Sequence, residues 1–192
     1  MTITSKIDSK IELRRQSRAR RRDFVAALSP SMRAGLEGDL AAVIASHTAG
    51  YRNPASYAAR GAEIDPRFIE ETLAPCAFPR VFGQDMFFHL AALNDLSPGF
   101  GDIAEPCATA PLVTPDLVLV PLTAATLDGR RLGQGGGFYD RTLRLLRAQG
   151  RVVAIGIAWD VQITDSLPCD PWDELLDHIA TPTRLVDCAR NR

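Results

Sequence analysis

The chain has 192 residues, 46% of them hydrophobic, enough for a sizeable core, and 22 basic residues nearly cancel 23 acidic ones. That balance excludes a strong overall field for nucleic acid or a membrane surface, and no uninterrupted apolar run of 18 residues offers a membrane span. The charge is uneven, however: residues 1–22 carry eight bases against Asp8 and Glu12, a basic arm on an acidic remainder.

In chain order, residues 5–28 read as a helix with an imperfect apolar stripe of Ile7, Ile11, Phe24 and Leu28. Ser29-Pro30 reads as a stop and restart, with serine as N-cap and proline in the first turn. The next helix runs to about Ser46 and turns Met32, Leu36, Leu40, Val43 and Ile44 inward. A short strand is expected near 56–59, then Asp65-Pro66 caps a helix carrying Phe68, Ile69 and Leu73. Residues 76–82 and 85–91 form two strands of a hairpin, and 92–115 is loop. Asp116–Pro121 is an unbroken apolar run, the pattern of a strand buried on both faces. A second such strand covers 151–158, 160–177 is loop, and 179–186 adds an edge strand. Helices alternating with buried strands predict an α/β fold: one three-layer α/β/α domain over 1–192, its sheet mixed but mostly parallel, with the basic helix packed on it.

Between the two buried strands lies Arg131-Leu-Gly-Gln-Gly-Gly-Gly-Phe-Tyr-Asp-Arg141, with Gly133, Gly135, Gly136 and Gly137 in five positions before a helix at 138–149. Glycines reach positive φ cheaply and let backbone N–H groups turn around an anion, toward which the following helix points its positive end. The spacing is neither a P-loop, which needs Lys-Ser/Thr after the glycines, nor a dinucleotide fingerprint. A glycine-rich turn without a ligand is the competing reading, and the flanking Arg131, Tyr139, Asp140 and Arg141 favour a polyphosphate site. Lys10 and Arg14, four apart, share a helix face and could clamp one anion, or could belong to a solvated basic face with Arg15, Arg18 and Arg20–Arg22. No aromatics are interleaved among these bases to stack on nucleotides, so no nucleic-acid partner is expected. Cys76, Cys107, Cys169 and Cys188 and the three histidines are too scattered for a zinc site. With no apolar signal segment at the N-terminus, the expectation is a cytoplasmic, reducing location.

The ordered segments resemble the 5-formyltetrahydrofolate cyclo-ligase family, also called methenyltetrahydrofolate synthetase. The resemblance rests on Lys10-x-x-Leu13-Arg14, Gly61-x-Glu63-Ile64-Asp65, Phe78-Pro79-Arg80-Val81 and Phe100-Gly101-x-Ile103-x-Glu105-Pro106. It continues in Asp116–Pro121, the glycine signature from Arg131 to Asp140, Gly156-Ile-Ala158 and Asp173-x-x-x-Asp177. It implies an enzyme that converts 5-formyltetrahydrofolate and ATP, with Mg2+, to 5,10-methenyltetrahydrofolate, ADP and phosphate. The partners implied are these small molecules; no oligomeric state follows.

The resemblance assigns Lys10, Arg14, Arg131, Gly133, Gly135, Gly136, Gly137 and Tyr139 to ATP, with Arg131 and Tyr139 also catalytic. It assigns Glu63, Gln134 and Phe138 to the folate, and Asp140 and Asp173 to magnesium. Glu63 suits a pterin, whose adjacent amino group and ring N–H can both donate to one carboxylate. Arg15, Arg18 and Arg20–Arg22 remain solvent or oligomer contacts on this reading, and Asp177 a structural residue. Two departures stand out: Phe138 where the family usually has tyrosine, and Leu122 and Ala125 where glycine and an aromatic are usual after Val-Pro. Other activities consistent with the residues are ATP-dependent ligation of a different formamide or acid, and nucleotide or RNA binding without catalysis.

Overall fold

The structure, a computed structural model, describes the backbone at residues 3–73 and 75–191 and side chains from residue 9 to residue 190, apart from 74. Residues 1, 2, 74 and 192 of the expected domain, and the side chain of Ile7, lie outside the described residues.

The elements run α1 (Ile3–Ala26), α2 (Pro30–Thr48), β1 (Pro54–Ala55), α3 (Arg67–Glu70), β2 (Ala77–Phe82), β3 (Asp85–Leu90), β4 (Ser97–Pro98), β5 (Ala104–Glu105) and β6 (Leu112–Val113). They continue with β7 (Leu117–Pro121), β8 (Ala124–Ala125), β9 (Arg131–Leu132), α4 (Phe138–Gln149), β10 (Val153–Ile157), β11 (His178–Thr181) and β12 (Arg184–Asp187). Eight strands form one sheet in the order β12-β11-β10-β7-β1-β2-β3-β6. The five from β11 to β2 pair in parallel, and the outer strands add antiparallel pairings at both sides. The expected mixed, mostly parallel α/β/α arrangement is therefore what forms.

Period-2 alternation divides β7 between two cores. Leu117 and Leu119 face α2 and α3, in a cluster with Leu40, Ile44, Ile69, Phe78, Ile155 and Trp159. Val118 and Val120 face α4, with Leu143, Ala154, Leu176 and Ile179. Both sides of the strand are buried, as its unbroken apolar run requires. Connections from β1 to β2 and from β7 to β10 step outward in opposite directions, so the sheet has its switch point between β1 and β7. Open α/β sheets gather ligands at the carboxyl ends of strands at such a point.

Several expectations are corrected in detail. Ser29 Oγ does accept the Met32 N–H at 3.2 Å and Pro30 begins α2, but Met32 lies on its exposed side while Leu40 and Ile44 turn inward. Ile11 is exposed too, and among the described side chains of α1 those packed on apolar cores are Leu13, Phe24 and Val25. The strand expected at 56–59 is Pro54–Ala55, beyond which the Ser56 N–H still reaches Ala77 O. The 92–115 loop holds the β4–β5 ribbon and edge strand β6. The single edge strand at 179–186 is the hairpin β11–β12. The glycine loop follows the β8–β9 ribbon, which extends past the end of β7.

Candidate active site

The switch point opens into a cavity of about 1040 Å³ between α1, the glycine loop, the segment 57–63 and the turn around Phe100. Such a volume is at the upper end for one small-molecule ligand and gives room for two side by side. Lys10, Arg14, Glu63, Arg131, Gly133, Gln134, Gly135, Gly136, Gly137, Phe138, Tyr139, Asp140 and Asp173 all line it.

The loop's shape is set by glycine where backbone dihedrals demand it. Gly135 and Gly137 have φ of 105° and 66°, conformations that side chains disfavour, and Gly137 is the residue from which α4 starts. Arginines take three of the loop's carbonyl oxygens. Arg14 Nε donates to Gly133 O at 3.0 Å, Arg18 Nη2 to Gln134 O at 3.3 Å, and Arg141 Nη1 to Gly136 O at 3.0 Å. With its carbonyls engaged by cations, the loop has its amide edge and the positive end of α4 to offer an anion.

Around this loop the charges are paired. Lys10 Nζ bridges Asp170 Oδ2 at 2.7 Å and Asp173 Oδ2 at 2.8 Å. Burial alone would lower the Lys10 pKa, yet the hydrogen bonds and charges of the two aspartates raise it overall. Arg131 has a side chain only 5% exposed; it donates from Nη2 to Asp140 Oδ1 at 2.6 Å and from Nη1 to Glu174 O. Asp140 Oδ1 also accepts the Glu174 N–H at 3.1 Å. Arg14 and Arg131 are each pushed down by burial, though from so high a value that they stay cationic. Tyr139 is pushed up, mainly by burial and secondly by the Glu63 charge, so its phenol stays protonated at neutral pH and can act as a donor.

On the other wall, Glu63 accepts the Arg60 N–H at 3.0 Å and the Gln134 side-chain N–H at 3.2 Å. Asp65 instead accepts the Arg67 N–H at 3.0 Å at the start of α3. Phe138 makes an edge contact with Phe100, centroids 5.5 Å apart, and Arg141 lies 5.1 Å from the Phe138 centroid. The Phe138 ring is therefore held between Phe100 and Arg141.

Two residues expected to face solvent do not. Arg18 binds Gln134 through both the main chain and Oε1, the latter at 2.6 Å, and Arg21 is buried in the cavity wall. Helical spacing could have revealed them, since 10, 14, 18 and 21 continue one face of α1. Arg15 and Arg20 are exposed, and Arg15 pairs with Glu12 on the helix itself. Asp170 was also missed: it sits in one turn with Asp173, but only folding brings Lys10 to the pair. Trp159 is wholly buried and donates to Ala62 O at 3.0 Å, whereas Trp172 stands exposed at the cavity rim.

Residues 79–182, just over half of the chain, match the model of the 5-formyltetrahydrofolate cyclo-ligase family. The chain belongs to that family. A 5-formyltetrahydrofolate cyclo-ligase of Mycolicibacterium smegmatis is 42% identical over 75 residues, which cover 39% of this chain and 38% of the relative. By sequence, the chain thus spans about two fifths of the length of the curated relatives it matches. Solved structures extend the similarity. The NMR structure of Aquifex aeolicus 5,10-methenyltetrahydrofolate synthetase has a TM-score of 0.78 at 26% identity, over 93% of this chain and 92% of that one. A 5,10-methenyltetrahydrofolate synthetase from Mycoplasma pneumoniae gives 0.69 at 25% identity, over 90% and 98%. The matched family segment holds the glycine loop, Arg131, Tyr139, Asp140 and Asp173, while Lys10, Arg14 and Glu63 come from outside it.

Proposed function

We propose that this member of the cyclo-ligase family is a cytoplasmic enzyme converting 5-formyltetrahydrofolate and ATP to 5,10-methenyltetrahydrofolate, ADP and phosphate. The observation that carries the reading is the glycine loop lying in one cavity with Arg14 and Arg18 against its carbonyls and Glu63 on the facing wall. A polyphosphate and a ring with adjacent donors have complementary walls there.

In this reading the formyl oxygen attacks the γ-phosphorus, forming an O–P bond as the bond to ADP breaks. The N10 amine then closes on the activated carbon, loses its proton, and phosphate departs with the former formyl oxygen. Phosphoryl transfer is catalysed by positioning and by neutralising charge on the transferring group. The loop amides would hold phosphate oxygens, Lys10 and Arg14 the triphosphate, and buried Arg131 the oxygens where charge develops. Tyr139, a protonated phenol, would donate to the nucleotide, and Phe138 would give an aromatic face to the folate beside Gln134.

The carboxylates of Asp140 and Asp173, with Asp170 adjacent to the latter, are hard oxygen donors that suit Mg2+. Among the described residues no group of three acidic, histidine or cysteine side chains makes a complete cage. Magnesium does not need one, since it commonly uses one or two carboxylates with phosphates and water. When bound, the ion would neutralise charge on the phosphates.

The test is a near-ultraviolet assay, because closing the ring creates a conjugated amidinium that the formyl substrate lacks. Absorbance should rise only with 5-formyltetrahydrofolate, ATP and Mg2+ together. No rise overturns the reading; ATP binding without turnover would indicate a binding protein, and ADP release with another acceptor a different substrate.

A further inference from the structure

The wall that carries Glu63 also holds an arginine that the family resemblance leaves unassigned. Arg21 leaves α1 three residues beyond Arg18, and its side chain is 8% exposed. Its Nη1 donates to Leu122 O at 3.2 Å, just past the end of β7, and stands 3.7 Å from Glu63 Oε1. Its Nε is buried with no hydrogen-bond partner among the described residues. A guanidinium has five N–H donors and keeps its charge in proteins, so a buried one with unmet donors calls for acceptors from elsewhere. A phosphate is a poor candidate, because the Glu63 carboxylate beside it would repel one. What the wall presents is an anionic pair of acceptors next to a planar fork of donors.

We propose that Glu63 and Arg21 together read one edge of the folate ring system, and that Arg21 selects for a carbonyl at its third position. The proposal rests on the folate reading above. That edge runs amino group, ring N–H, carbonyl: two donors and then an acceptor. Glu63 accepts from the first two and Arg21 donates to the third. In the 4-amino counterpart the middle nitrogen has no hydrogen and an amino group replaces the carbonyl, so Arg21 meets donor with donor. A site built around buried hydrogen-bonding groups rejects an analogue that leaves them unpaired.

Calorimetric titration of the full chain without ATP would compare 5-formyltetrahydrofolate with its 4-amino counterpart, in wild type, Arg21→Met and Arg21→Lys. Wild type should prefer the carbonyl compound by about 100-fold or more. Arg21→Met should weaken that compound roughly 10- to 100-fold while moving the 4-amino compound less than about 3-fold. Arg21→Lys should restore part of the preference, since it returns a donor without the fork. Equal losses for both compounds would mean that Arg21 only supports the wall, and would overturn the assignment. Should Arg21→Met fail to fold, Arg21→Lys and the wild-type preference decide, and a wild type indifferent between the two compounds overturns it. A wild type that neither binds nor converts 5-formyltetrahydrofolate removes the folate reading and this assignment together. Conversion by wild type with the preference unmoved in the variants removes this assignment alone.

Discussion

At the scale of single residues, the site is a set of buried charges that hold one another in place. Lys10 joins Asp170 and Asp173, so removing its ammonium takes a cation from the proposed triphosphate site and leaves two carboxylates facing each other. Lys10→Ala is expected to raise the KM for ATP about 10- to 150-fold, the loss of a charge-assisted contact of ~1.5–3 kcal/mol, with the folate KM nearly unchanged. The control is Arg15→Ala, whose exposed side chain pairs only with Glu12 among the interactions described, and which should leave ATP affinity unchanged. Arg18 would not serve as the control, since it grips the glycine loop. Asp140→Asn has two expected effects. Magnesium requirement should rise as one anionic ligand is lost. Stability in urea should also fall by about 1–3 kcal/mol, because Arg131 keeps its buried charge without the counterion it now has. A variant with unchanged magnesium dependence would remove Asp140 from the site.

At the scale of elements, the cavity depends on tight spacing at the middle of the sheet. A Cβ at Gly156, in β10, would come within 2.5 Å of Leu176 Cδ1 and 2.9 Å of Leu122 Cδ2. Gly156→Ala is therefore expected to cost about 1–3 kcal/mol in thermal or urea unfolding, by overpacking. It should also disturb substrate binding, because Leu122 is the residue whose carbonyl receives Arg21. Elements defined by local pattern were legible from sequence. β7 and β10 showed as apolar runs, the β2–β3 hairpin as two strands around Gly83, and α2 as a capped start at Ser29. Met32 misled because it fits the helical period, yet its side chain stays exposed in the first turn. β4, β5 and β6 were missed because two-residue strands have no period to read. Within the site, the glycine signature exposed the residues from Arg131 to Asp140, and helical spacing from Lys10 and Arg14 leads on to Arg18 and Arg21, whereas the pairing of Asp170 with Lys10 depends on tertiary placement. The apolar stripe of α1 was weak for a physical reason: its inward face is largely a polar one, turned toward a cavity.

At the scale of the whole molecule, charge is concentrated rather than balanced. Nine lysines and arginines line the cavity against five acidic residues, in a chain whose net charge is −1. The cavity is thus a positive well in an otherwise acidic body, and low-dielectric walls focus such a field. Affinity for ATP is expected to fall several-fold between about 0.05 and 0.5 M salt at fixed magnesium, as exposed rim charges are screened over a few ångströms. Titrations across that range check it; an affinity independent of salt would mean that only the paired, buried cations matter. No helix among the described residues is long and apolar enough to cross a membrane.

The two tryptophans divide the molecule's optical signal by location. Trp159 is sealed beneath α1, its ring 5.5 Å from Phe24, while Trp172 is 60% exposed at the cavity mouth. Fluorescence from the first therefore reports whether the helix sits on the core, and fluorescence from the second reports what enters the cavity. The chain contains a pair of intrinsic probes, one for assembly and one for occupancy, separable by a Trp172→Phe substitution without any added label.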